Sequence, residues 1–328
     1  NIFIFHKLNN NYIMNNIYSN IKKLNSKIQL KVIHILNNDG LIALPTETVY
    51  GLAGNAYSHR AVNKIFKIKN RPKINPIIVH YFTLKDASKD VFFSKELLRL
   101  YRYFCPGPIT FILKKKKYSN LNKLTTAGLD SVAVRFPKHK VLRKILKKIN
   151  FPLAMPSANK SGKVSPTCAK HVYNQFGKKI IIVDGGNSTV GIESTVVDLT
   201  SGISILRPGI ISSSQIQKVV GKKIVYKKSR KIRSPGNLKN HYSPGIPIKL
   251  NVKKAEKNSA FITFGKKFKN NKDVYNLSEK SNLEDAAKNL YKTLITIKKK
   301  KYKKISVMRI PNIGVGVAIN DRLKRAAK

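Results

Sequence analysis

The stretch Leu41-Ile-Ala-Leu-Pro-Thr-Glu-Thr48 carries the pattern on which the fold turns: Pro45 stops a short apolar run, and small polar residues follow. Proline fixes its own φ and lacks an N–H for the ladder, so it ends a strand and forces an extended connection. The device recurs at Phe136-Pro-Lys138 and Pro156-Ser-Ala-Asn159, and Asp184-Gly-Gly186 closes another run with glycine. Working outward, apolar runs of strand length lie at Leu41 to Leu44, Ile77 to Tyr81, Ile109 to Leu113, Val132 to Phe136, Leu153 to Met155, Ile180 to Val183, Thr195 to Leu199 and Ile203 to Leu206. Helical periodicity fits Ile28 to Asn37, Arg60 to Lys69, Lys95 to Phe104, Lys140 to Ile149, Cys168 to Phe176 and Ser213 to Val220. This alternation argues for an α/β or α+β domain around one twisted sheet, with ligands collecting where strand ends and their loops converge.

The chain has 328 residues, which at roughly 150 per domain suggests about two domains. With 42% hydrophobic and 24% charged residues it has a globular composition, and a disordered or collagen-like chain is excluded. The charge is lopsided: 65 Lys+Arg against 15 Asp+Glu leave +50. That attracts polyanions, but the excess is mostly Lys accompanied by many Asn and Ile, a bias that runs through the whole composition. Net charge therefore does not by itself make a nucleic-acid binder. The Lys114 to Lys117 and Lys298 to Lys301 runs read as solvated ends. Cys105 and Cys168 form no C-x-x-C pair, and the seven His take no metal-ligand spacing, which points to a reducing, cytoplasmic setting. No apolar run approaches the roughly 18 residues a membrane span needs. Residues 1 to about 13 precede Met14, the first methionine, and are expected to lie outside the fold.

From Tyr226 to Pro247 the sequence turns basic and rich in Pro and Gly, as an interdomain linker would be. Beyond it, Phe261 to Phe264, Leu283 to Lys298, Ile305 to Ile310 and Ala318 to Ala326 read as a small β…α-β-α series.

Neither G-x-x-x-x-G-K-[ST] nor a G-x-G-x-x-G after a strand is present, so phosphate would be held by other means. The best candidate is Ile65-Phe-Lys-Ile-Lys-Asn-Arg-Pro-Lys-Ile-Asn-Pro76. Its helix should stop before Pro72, so that Lys69, Arg71 and Lys73 emerge together and could clamp a triphosphate, Arg as a planar fork and Lys as a point charge. In a chain this basic, a solvated helix end remains the alternative.

Taken together, Leu44-Pro-Thr-Glu-Thr-Val-Tyr-Gly-Leu-Ala-Gly54, Lys69-Asn-Arg-Pro72, Ser131-Val-Ala-Val-Arg-Phe-Pro137, Pro156-Ser-Ala-Asn159, Gly191-Ile-Glu-Ser-Thr-Val-Val-Asp198 and Leu206-Arg-Pro-Gly209 resemble, in order and spacing, the threonylcarbamoyl-AMP synthases. Ser234-Pro-Gly236 and His241-Tyr-Ser-Pro244 are similar to the linker of their long, two-domain members, and the segment Ile313 to Ala327 resembles the end of the second domain. The resemblance implies a YrdC-like twisted open mixed sheet with flanking helices over residues 28–221 and a linker or lid over 222–247. It implies a smaller Rossmann-like α/β domain over 248–328, with 1–27 as a partly disordered extension.

The activity implied is ATP-dependent condensation of L-threonine with bicarbonate to threonylcarbamoyl-adenylate and pyrophosphate. The product would pass to a separate transferase complex that modifies tRNA, with a tRNA contact by this chain itself left open. Mg2+ would be held chiefly by the ATP phosphates rather than by protein ligands. By motif, Thr46, Tyr50, His80, Arg135 and Ser194 are implied for L-threonine. Lys69, Arg71, Lys73, Ser131, Ser157, Asn159, Ser165, Arg207 and Tyr242 are implied for ATP, with Lys69 and Arg71 catalytic and Tyr242 in a closing linker. An Arg at a strand end suits a carboxylate, and with acids so few Arg135 is expected to lack an acidic partner of its own. Glu47 reads equally as a general base or as a structural hydrogen-bonding group. Two other readings stay open: a carbamoyltransferase on the same fold, and a non-catalytic RNA-binding or ribosome-associated protein.

Overall fold

The computed structural model describes residues 18–226 and 241–328. Eleven strands form one mixed sheet. They are β1 (Ile21–Lys23), β2 (Ile42–Leu44), β3 (Gly51–Asn55), β4 (Ile78–His80), β5 (Ile109–Lys114), β6 (Ser131–Arg135), β7 (Leu153–Ala154), β8 (Ile181–Asp184), β9 (Thr195–Asp198), β10 (Ser204–Arg207) and β11 (Val225–Tyr226). Their spatial order is β1-β8-β2-β3-β7-β4-β6-β5-β9-β10-β11. A second, all-parallel sheet has the order β12-β15-β13-β14, from β12 (Ile248–Leu250), β13 (Ser259–Thr263), β14 (Val274–Asn276) and β15 (Lys304–Val307).

Period-two alternation decides what each face of the large sheet does. Val79, Phe111, Val132, Val134, Val197 and Ile205 point into the main core, where the helices His59–Lys69, Lys95–Phe104, Ala169–Phe176 and Ser213–Val220 cover them. Their neighbours in sequence point the other way. Ile78, Ile112, Ala133, Val196 and Leu206 make a small apolar cluster there. Beside it, matched registers set His80 opposite Arg135, Arg135 opposite Thr110, Thr110 opposite Val196 and Val196 opposite Arg207, a row across five strands. The β9–β10 register shifts between Ile205 and Arg207, and such a bulge re-aims the side chain that follows it. The helices Ser26–Asn37 and Lys140–Leu146 pack on β2, β3, β7 and β8 in a third cluster.

In the second domain Ala260, Ile262, Ile305 and Val307 are covered by the helices Leu283–Lys299 and Val315–Ala326. That core also takes in Val49, Val164, Ile192 and Tyr242, so apolar packing continues from one domain into the other.

Several elements differ from expectation. β3 was not foreseen because its sequence is Gly-Leu-Ala-Gly-Asn. Its glycines answer packing, since a Cβ on Gly51 would stand 2.5 Å from Met155 Cγ. β1 pairs with β8, so residues 21–27, expected in the extension, belong to the large sheet and its first helix. β11 extends the sheet into the segment expected to be linker. The helix at 140 ends at Leu146 rather than Ile149, and the last helix begins at Val315 rather than Ala318. The expected disorder before residue 18 and the Ser234-Pro-Gly236 motif lie outside the described residues.

Candidate active site

On the polar side of the large sheet a cavity of about 50 Å³ is lined by Thr46, Thr48, Arg71, His80, Arg135, Ser157, Glu193, Arg207 and His241, with Val49, Gly51, Ile78, Met155 and Pro156 as its apolar wall. Three arginines therefore converge from three elements: the turn after a helix, the end of β6 and the end of β10.

Arg71 reaches the cavity because its helix stops where the sequence says it must. Asn70 takes a left-handed φ of 50°, its N–H bonding the Lys67 and Phe66 carbonyls, and Pro72 prevents further turns. Arg71 donates from Nε to the Asn75 carbonyl and from Nη2 to the Pro76 carbonyl, bonds that brace its own loop. Burial, with Arg207 nearby, lowers its pKa to about 9. The two lysines beside it go elsewhere. Lys69 is buried and its Nζ donates to the Ser157 carbonyl at 2.5 Å and to the Asn159 carbonyl, fastening the 156–159 loop to the helix end. Burial first, then Arg71 and Lys160, hold that amine well below its usual pKa. Lys73 is exposed and does not line the cavity.

Arg135 has an acidic partner after all. Its Nη2 donates to Glu47 Oε1 at 2.6 Å and its Nη1 to Thr48 Oγ1 at 2.8 Å. The Lys138 and His139 N–H groups donate to Glu47 Oε2. Burial works to raise the Glu47 carboxyl, but Arg135 and these bonds leave it below the usual range. This resolves the reading of Glu47: it orients Arg135 and holds no proton at neutral pH. This pairing is not legible in sequence because the partner sits 88 residues away, on a loop after another strand. Among the described residues Arg135 Nε has no hydrogen-bond partner, and neither ring nitrogen of His80 has one. Burial and the Arg135 charge keep His80 neutral.

The remaining expected residues divide. Thr46 lines the cavity, while its hydroxyl donates to the Val49 carbonyl and accepts from the Thr48 and Val49 N–H groups, closing the turn. Ser157 lines it directly. Arg207 lines it and is steered from behind by Ser194, whose carbonyl and hydroxyl accept from Nε and Nη2 at 3.1 Å each. Ser194 itself is fully buried behind the wall. Tyr50 is also outside the cavity: its hydroxyl donates to the Gly186 carbonyl at 2.7 Å. Asn159 ties down its own loop through the Lys160 and Lys163 carbonyls, and Ser165 donates to Glu193 at 2.6 Å. Ser131 shares the site face of β6 with Arg135 but sits four residues away, about 13 Å along the strand.

Tyr242 is fully buried in the second domain's core, stacked on Tyr291 with centroids 5.6 Å apart. Among the described residues of the linker, the preceding His241 lines the cavity, and burial drives it down to a pKa of about 3. Glu193 and Asn75 carry no signal of their own in the sequence. Asn75 is completely buried with neither side-chain amide atom partnered among the described residues, and Glu193 lies inside the Gly191–Asp198 motif.

Two family models cover this chain, one described as telomere recombination over residues 34–209 and one described as the C-terminal domain of threonylcarbamoyl-AMP synthase over residues 211–328. The chain belongs to the threonylcarbamoyl-AMP synthase family. The synthase is 36% identical over 312 residues to threonylcarbamoyl-AMP synthase of Pyrococcus abyssi, a match spanning 88% of this chain and 90% of that protein. It is likewise 36% identical over 315 residues to the Bacillus subtilis enzyme, spanning 89% and 91%. The crystal structure of P. abyssi Sua5 complexed with L-threonine superposes with a TM-score of 0.85 at 31% identity, over 94% of this synthase and 96% of that chain. An ATP-using transferase is thereby selected from the readings the sequence carried.

Proposed function

We propose that the cavity is where L-threonine, bicarbonate and ATP are joined. The observation that carries this is the meeting of Arg71, Arg135 and Arg207 in one small space whose lining carboxylate, Glu193, is already paired with Arg322, while Glu47 just outside it is paired with Arg135. Such a wall favours several anions held together.

L-Threonine would place its carboxylate on Arg135, with His80 and Thr46 beside it and Tyr50 and Ser194 acting from behind the wall. The P. abyssi relative was crystallised with L-threonine, which supports this reading. The triphosphate would lie toward Arg71, Arg207 and Ser157, with Lys69, Asn159 and Ser165 setting the loops and Ser131 further along the same sheet face. The threonine amine and bicarbonate give a carbamate with loss of water. One carbamate oxygen attacks the α-phosphorus, a new P–O bond forms, and the bond to the β-phosphate oxygen breaks to release pyrophosphate. Charge developing on the transferring phosphoryl group is met by guanidiniums already in place. Mg2+ would arrive with ATP and stay on the phosphates, because Glu47 and Glu193 are both committed to arginine.

The threonylcarbamoyl-adenylate then goes to a separate transferase that acts on tRNA, with the +50 charge available for a tRNA contact. No helix among the described residues is long and apolar enough to cross a membrane. The test is pyrophosphate release from ATP that requires both threonine and bicarbonate. Arg71→Ala and Lys69→Ala should abolish it in folded protein, whereas RNA binding with a steep salt dependence and no turnover would overturn the proposal.

A further inference from the structure

Glu193 is the point at which the two domains meet the cavity. Its Oε1 accepts from Ser165 at 2.6 Å, and its Oε2 accepts from Tyr291 Oη at 2.8 Å and from Arg322 Nε at 3.1 Å. Tyr291 and Arg322 come from the two C-terminal helices, and both are fully buried. Arg322 also donates from Nη1 to the Pro208 carbonyl at 2.7 Å, next to Arg207, and its guanidinium lies 5.4 Å from the Tyr242 ring.

A second observation shows that this contact is built in. At Gly191, two residues before Glu193, a Cβ would stand 2.4 Å from Lys288 Cα on the helix Leu283–Lys299, and Gly191 has φ 79°. Only glycine lets the two backbones come this close.

We propose that Arg322 and Tyr291 are positioning residues of the synthase: they hold Glu193 as a carboxylate in the cavity wall beside Arg207, so that the C-terminal domain completes the catalytic site. This rests on the proposed function in so far as the cavity is taken to be the reaction chamber. The groups facing Glu193 from the packed elements are Arg322, Arg207, His241, Tyr291, Tyr242 and Ser165. Burial alone would raise the carboxyl, and Arg322 with Arg207 brings it down to about 2. Without Arg322, burial is opposed only by Arg207, the Ser165 bond and His241, and the carboxyl should rise.

The test uses full-length Arg322→Met, Tyr291→Phe and Glu193→Gln. Losing a charge-assisted hydrogen bond predicts a fall in kcat/KM of about 10- to 100-fold for R322M. Y291F, which keeps the ring stacked on Tyr242, should fall less. R322M should acquire a new acid limb in its pH–rate profile between about pH 4 and 7 that wild type and E193Q lack. Y291F and R322M that keep wild-type kcat, KM and pH profile would overturn the proposal. So would losses with no acid limb that E193Q does not share. A readout independent of turnover is the urea midpoint. The wild-type Glu193 pKa lies below its ordinary 4.5, so its stabilising effect is already complete above that pH. In R322M the raised pKa makes stability fall, relative to wild type, as pH rises from 5 to 7. A flat difference overturns the link even if wild type turns over, whereas wild type that releases no pyrophosphate overturns the proposed reaction and leaves the urea comparison to decide the link.

Discussion

Replacing Glu47 by glutamine removes the charge that Arg135 faces across 2.6 Å while keeping the shape of the side chain. Arg135 would then be buried, 4% exposed, with no counter-charge, and removing one partner of a buried pair costs about 3–5 kcal/mol. The amide repairs little of this. Its oxygen can still accept from Arg135, but its NH2 then faces the Lys138 and His139 N–H groups, which donate to Glu47 Oε2 at 3.1 and 3.2 Å. At about 2–4 °C per kcal/mol for a domain of 150–250 residues, the Tm should fall by about 6–20 °C at pH 7. Thermal melts followed by circular dichroism from pH 7 to pH 3 measure it. Burial pushes the Glu47 carboxyl up, but Arg135 pulls it below the ordinary 4.5, so the stability it contributes is present above that pH and is lost as pH falls through the folded-state pKa. The gap between wild type and E47Q should therefore close toward acid, and Arg135→Met on top of E47Q should restore part of the loss at pH 7. A Tm within about 2 °C of wild type at pH 7, or a gap unchanged at pH 3, would refute the reasoning.

Lys69→Met should leave a folded but inactive protein. The wild-type amine has a folded-state pKa below its unfolded 10.5, so the unfolded chain holds the extra proton and wild-type stability rises with pH toward 10.5. K69M should lack that rise in urea midpoint between pH 8 and 10, and a wild-type midpoint flat over that window would contradict the assignment. Gly209→Ala should lower stability by about 1–3 kcal/mol, since its Cβ would stand 2.4 Å from the Thr195 backbone nitrogen and 2.6 Å from Thr195 Oγ1, neither of which can swing away. Turnover should fall with it because Ser194, which steers Arg207, is pushed at the same time, and an unchanged melting curve would sink this account.

Most of the strands were legible because burial on the helix-covered face writes a period-two apolar signal. Val132, Val134 and Phe111 announce β6 and β5 without help. What pairing adds is the other face. Arg135 and His80 read in sequence as residues near two strand ends, and only the parallel β4–β6 register sets them side by side. β3 was silent because Gly51 and Gly54 serve close packing, and glycine carries no hydrophobic signal. Among the site residues, Arg71 was legible from helix-stop chemistry at Asn70-Arg-Pro72, where a left-handed cap and a proline fix the chain locally. Lys69 and Lys73 share that spacing, yet one turns inward to two carbonyls and the other faces solvent, a choice made by the 156–159 loop nearly a hundred residues on. Glu193 was hidden for the same reason, since its partners Tyr291 and Arg322 lie 98 and 129 residues downstream.

The cavity wall also shows why stability and chemistry pull apart here. Arg71 and Arg207 approach closely enough that Arg207 adds to the depression of the Arg71 pKa, and Lys69 is sunk behind them against two carbonyls rather than a carboxylate. A sequence selected for stability alone would neutralise or remove such groups, because buried like charges raise the folded state's free energy. The two nearby acids relieve this only in part, Glu193 through its attraction for Arg207. Glu47 is hydrogen-bonded to Arg135, and Glu193 is hydrogen-bonded to Arg322, which does not line the cavity. On the proposed reading, a polyanion among the three arginines would convert their mutual repulsion into attraction, and the same charge would meet the negative charge that builds up as the α-phosphoryl group transfers. Glu47 acts as geometry: it decides which way Arg135 points, as Ser194 does for Arg207.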